Sequence, residues 1–98
     1  MTATAPVAIS YWTIDARTIG VQVISGPPAS HSCAVAKTEE TADQVLIRVE
    51  CRSPLVGGGS TMAGYKYEFT VSLQQVLGGR RVLDGLGQPG ILCDARCP

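Results

Sequence analysis

The segment YKYEFTVSL, residues 65–73, alternates with a period of two. Tyr65, Tyr67, Phe69, Val71 and Leu73 fall on one side, and Lys66, Glu68, Thr70 and Ser72 on the other. A helix, at about 3.6 residues per turn, would scatter these apolar positions around its circumference, whereas a strand sends alternate side chains to opposite faces. A chain with such a stripe has to build a sheet and has to supply a second layer to cover it.

Other segments supply that layer. VAISYWTI (7–14) and TIGVQVIS (18–25) flank the tight turn DAR, and in the second of them Ile19, Val21 and Val23 alternate with Thr18, Gly20 and Gln22. The first carries apolar residues on both faces, as a central or covered strand does. CAVAK (33–37) and QVLIRVEC (44–51) form a second pair around TEETAD, with Val45, Ile47 and Val49 pointing one way and Leu46, Arg48 and Glu50 the other. Setting Cys33 opposite Cys51 brings Val35 to Val49 and Lys37 to Ile47, so one register satisfies both the turn and the burial pattern.

The chain has 98 residues, enough for one domain with a modest core. Eleven glycines and six prolines suit short strands joined by tight turns. Eight basic and eight acidic residues cancel, with no run of either sign, so no nucleic-acid or acidic-membrane partner is expected. No apolar run is long enough to span a bilayer. The opening MTATAPVA is the small-residue, proline-containing kind of segment that follows a removed export signal or lipid anchor. It makes residues 1–6 a flexible N-terminal tail, with Met1 an added start residue, and leaves 7–98 as the domain.

Cys33, Cys51, Cys93 and Cys97 contain no Cys-x-x-Cys pair, and the single histidine, His31, stands two residues before Cys33. That spacing fits no zinc pattern, so two disulfides are expected, with no metal or other cofactor, in an oxidising compartment. The local pairing of 33 with 51 and 93 with 97 agrees with the hairpin register. Four cysteines allow three connectivities, and the other two stay open. Six or seven short strands with regular turns indicate an all-β, two-sheet antiparallel sandwich of immunoglobulin-like architecture. Trp12 precedes every cysteine, so the Cys, Trp, Cys order of a true immunoglobulin domain is absent; core or half-buried packing is its expected role.

Chemical motifs fare poorly. Gly59 to Gly64 has the glycine spacing of a phosphate loop, but Tyr65 replaces the lysine and a strand follows where a helix is needed. The triple glycine 57–59 marks a mobile connection. His31 lacks a nucleophile elbow, and Glu39, Glu40 and Asp43 belong to a turn where carboxylates are solvated or bond backbone N–H groups. Adjacent Glu39 and Glu40 point to opposite faces, unlike a glycosidase pair. No enzyme is expected.

In LGGRRVLDGLGQPG (77–90), Gly78, Gly79, Asp84 and Gly85 signal turns, and Arg81 is placed to pair with Asp84. Arg80 and Arg81 are also candidate partner-binding residues, because guanidinium groups are enriched at interface hot spots. EETADQVLIRV (39–49) followed by VSLQQVLGGRRVLDGLGQP (71–89) resembles a group of small exported or lipoprotein-like β proteins of high-GC Gram-positive bacteria. The matching positions are Glu40, Thr41, Asp43 and Val45, then Leu77, Gly78, Arg80, Val82, Asp84 and Gly85; Val76 replaces the group's usual proline. The resemblance implies a β fold and a secreted or envelope location, and it carries no activity. A noncatalytic binding module with a protein partner at the envelope is the expected function. A secreted, disulfide-bonded hydrolase inhibitor is the alternative, disfavoured by the triple glycine where a rigid loop is needed.

Overall fold

In a computed structural model, which describes residues 2–54 and 64–93, eight strands and no helix account for the regular structure. They are β1 (Thr2–Pro6), β2 (Ser10–Asp15), β3 (Thr18–Ser25), β4 (Ser32–Glu40), β5 (Gln44–Pro54), β6 (Tyr65–Ser72), β7 (Arg81–Asp84) and β8 (Ile91–Leu92). One four-stranded sheet is built on β5, with β4 on one side and β1 and β7 sharing the other. The second has the order β6-β3-β2-β8. The two sheets form the expected all-β sandwich.

The period-two patterns place the core between them. Val45, Ile47 and Val49 of β5 are fully buried, as are Ile19 and Val21 of β3, and Val23 is 2% exposed. Ile9, Cys51, Val71, Leu73, Leu77 and Val82 complete the same cluster. Tyr65 is 43% exposed, so the β6 stripe is covered at its Val71 end and open at its start.

Several expectations are corrected. The sheets are not purely antiparallel: β8 runs parallel to β2, and β7 parallel to β5, because each returns to its sheet after a crossing from the other layer. Residues 2–6, expected as a tail, pair antiparallel with β5 from Thr2↔Pro54 to Pro6↔Glu50. The chain then leaves this sheet after Val7, whose N–H donates to the Val49 carbonyl at 3.0 Å. Ile9 turns into the core, so the two-sided apolar character of 7–14 comes from a crossing followed by β2 rather than from one central strand.

Cys33 and Cys51 are register partners joined by a disulfide, and Val35 faces Val49 as expected. Beyond Val35 the register shifts at a bulge, so Lys37 meets Arg48, and Thr38 meets Ile47. The extra residue matters because an unbulged ladder would set Lys37 beside Ile47 on the core side. With the bulge, Lys37 reaches solvent and pairs with Glu39 at 2.5 Å. Cys93 is itself disulfide-bonded, while its expected partner Cys97 lies outside the described residues. The triple glycine 57–59 lies outside them too.

Trp12 is half-buried and stands opposite Gly20 on the outer side of the second sheet. A Cβ at Gly20 would overlap the indole ring, which lies across the glycine. Gly20 is therefore needed for a close approach rather than for an unusual backbone angle. Gly20→Ala should displace the ring, shift the fluorescence of this single tryptophan and cost about 1–3 kcal/mol. Unchanged emission with an unchanged unfolding midpoint would rule out the stacked arrangement.

Candidate functional site

Three connections meet at one end of the sandwich. The turn between β4 and β5 is closed by Thr41, whose Oγ1 accepts from the Asp43 and Gln44 N–H groups at 3.3 and 3.1 Å. The link from β6 to β7 is tied to the β2–β3 turn by two backbone bonds, Leu73 N–H to the Arg17 carbonyl at 2.7 Å and Leu77 N–H to that of Ala16 at 2.9 Å, and by the Arg17 guanidinium, which donates to the Gln74 carbonyl at 3.3 Å. Buried Leu73 and Leu77 anchor this link in the core, and Gly78, at φ +55°, reverses the chain beyond them.

Arg80 holds the pieces together. Its guanidinium donates to the carbonyls of Leu77, Thr41, Gln75 and Val76 at 2.9–3.3 Å and to Glu40 Oε1 at 3.2 Å. The Arg80 and Glu40 side chains are 11% and 14% exposed. Glu40 also accepts the N–H groups of Gln74 at 2.7 Å and Gln75 at 3.3 Å. Those N–H groups, Gln74 first, and the neighbouring guanidinium hold its carboxyl below the usual glutamate range, against the opposing effect of desolvation. The surrounding open cleft, about 550 Å³, is lined by Glu40, Thr41, Gln75, Leu77, Gly79 and Arg80.

The structure thus separates the two candidate arginines. Arg80 is engaged within the protein, while Arg81 stays exposed on β7, its N–H donating to the Asp43 carbonyl. The expected Arg81–Asp84 pair gives way to a different arrangement. Asp84 lies inward opposite Ile47, 1% exposed, and its Oδ1 accepts from Leu86 N–H at 2.8 Å and Gln88 N–H at 3.0 Å. It organises its own loop, in which Gly87 adopts φ +80°. Glu39 and Glu40 do diverge, but Glu40 bonds the β6–β7 link instead of solvent.

At the opposite end His31 packs over Gly26, its Nδ1 2.8 Å from Ser30 Oγ. The Tyr67 hydroxyl donates to the Gly26 carbonyl at 2.6 Å and thereby ties β6 to this loop. Apart from the exposed Arg81 side chain, the polar groups named at the two ends bond the loops at those ends.

A second cleft, about 280 Å³, opens where the crossing from β1 meets the second sheet, lined by Val7, Ala8, Ser10, Gln22, Ile24 and Ile91. Ile24 and Ile91 are 54% and 67% exposed. Ser10 pairs with both Gln22 and Ile91, which sets this row beside the Trp12–Gly20 row on the same outer face. Ile24 and Ile91 are not among the site residues expected from the sequence. Ile24 carried a signal, being the apolar member of the otherwise small or polar Thr18, Gly20, Gln22 series; Ile91 carried none, since a two-residue parallel strand has no period.

Comparisons with protein-family models, with curated proteins and with solved structures find no match. Among the described residues no helix is long and apolar enough to cross a membrane.

Arg80→Ala should lower the thermal midpoint by at least about 4 °C, whereas Arg81→Ala should change it little. Equal effects would contradict the division of roles. Because the folded-state pKa of Glu40 is depressed, its stabilisation is complete above the unfolded-state value and is lost as pH falls through the folded one. Glu40→Gln should therefore be less stable than the native protein at neutral pH, with the gap closing in acid. Denaturant titrations across that range check this, and a gap constant with pH would count against it.

Proposed function

We propose that this domain is a noncatalytic binding module of the cell envelope or extracellular space, and that it engages a protein partner through the outer face of the β6-β3-β2-β8 sheet. The observation that carries the reading is the apolar strip on that face. Half-buried Trp12 is followed by the cleft between exposed Ile24 and Ile91. Apolar surface rimmed by polar groups is what a recognition site offers, and a stacked tryptophan adds rigid contact area at small entropic cost.

Two further features support it. The Cys33–Cys51 bond between paired strands is compatible with an oxidising, extracellular setting. Arg80, Glu40 and Asp84, the polar groups with the richest bonding, are committed to loop structure. The resemblance to exported lipoprotein-like proteins points the same way. Arg81 lies on the other sheet and is not needed for this surface.

Capture from envelope and culture fractions with the oxidised protein tests the proposal. A partner should be retained by the native chain and by Arg81→Ala, and lost by Ile24→Glu/Ile91→Glu, whose substituted positions are exposed enough to leave folding intact. Equal capture by the double variant would refute the assigned face, and loss with Arg81→Ala alone would move recognition to the 77–90 segment.

A further inference from the structure

The sandwich has two long edge strands, β4 and β6, and they differ. β4 is broken by the bulge after Val35 and presents Lys37 and Glu39, features that discourage another strand from pairing. β6 runs eight residues in uninterrupted register with β3, from Thr18↔Ser72 to Ser25↔Tyr65, and contains neither proline nor bulge. Among the described residues it pairs with β3 alone.

The direction of its backbone groups follows from one bond. Leu73 N–H donates to the Arg17 carbonyl, one step beyond the Thr18↔Ser72 pair. Bonded and non-bonded pairs alternate along an antiparallel ladder, so Tyr67, Phe69 and Val71 turn their N–H and C=O groups to β3. Lys66, Glu68, Thr70 and Ser72 turn theirs to the outer edge. Along the same strand the core-side aromatics are incompletely covered: Tyr65 is 43% exposed, and Tyr67 and Phe69 are only partly buried. An added strand would extend the inner face over them.

We infer that β6 is a self-association edge, on which a second copy of this chain pairs antiparallel with its two-fold axis at Tyr67. Lys66 and Glu68 flank that residue with opposite charges. Centring the pair at Tyr67 sets Lys66 of each copy opposite Glu68 of the other, in positions whose backbone groups face the edge. Tyr65 then meets Phe69 across the junction, forming an aromatic pair on the core side. Centring one residue further on would oppose Glu68 to itself, which like-charge repulsion disfavours. The joined β6 strands make one continuous eight-stranded sheet from two four-stranded ones.

Sedimentation velocity of the oxidised protein, over a concentration series reaching the millimolar range, tests the inference. The native chain should pass from monomer to dimer. Lys66→Glu and Glu68→Lys should each weaken self-association at least about tenfold, since each replaces two attractive cross-strand pairs by repulsive ones. An equimolar mixture of these two variants should form a heterodimer, and Lys66→Glu/Glu68→Lys should recover the native dimer. A monomer at every concentration would overturn the inference, and so would a dimer indifferent to the single reversals. So would a double variant, folded by near-ultraviolet circular dichroism, that associates no better than the singles.

Discussion

Ile19, Val21 and Val23 on β3 share one core with Val45, Ile47 and Val49 on β5, and none of the six is more than 2% exposed. Every other strand is held by pairing with β3 or β5, or with β2, the neighbour of β3. These branched side chains are stiff, fit a pleated surface and leave water when the sheets close. Apolar burial has no direction of its own, so it brings the layers together without dictating how the strands between them connect. The connections are set by discrete polar bonds at the two ends.

The ends divide that work. At one, Arg80 and Glu40 bind the carbonyls and N–H groups of a link that would otherwise carry unsatisfied backbone between the sheets. At the other, the Tyr67 hydroxyl fastens β6 to the loop that holds His31 over Gly26. Polar residues that look like chemistry in the sequence are thus absorbed into architecture. The core leaves over the apolar row on the outer face of the second sheet and the unbulged edge of β6, and the proposed recognition rests on these. The two surfaces adjoin through β3, so both proposals concern one sheet.

The parts legible beforehand were those governed by local periodicity. Val45 to Val49 and Ile19 to Val23 announced their buried faces, and the Cys33–Cys51 pairing followed from carrying that alternation around a turn. The bulge at Ala36 was not legible, because an inserted residue matters only once a partner strand fixes the ladder. Arg80 illustrates the same limit at the site. Its neighbours in sequence suggest an exposed basic pair, yet its acceptor Glu40 stands forty residues away.

The sequence by itself determined that this chain forms sheets, which side of each long strand is buried, and that oxidation can lock the β4–β5 hairpin. Each of those properties depends on side chains a few residues apart or on one tight turn. Tertiary structure alone decided the parallel returns of β7 and β8, the recruitment of residues 2–6 into a sheet, and the separation of Arg80 from Arg81. It also gathered Trp12, Ile24 and Ile91 onto one face. These outcomes depend on contacts between distant segments, and no local period encodes which segments become neighbours once the two layers close.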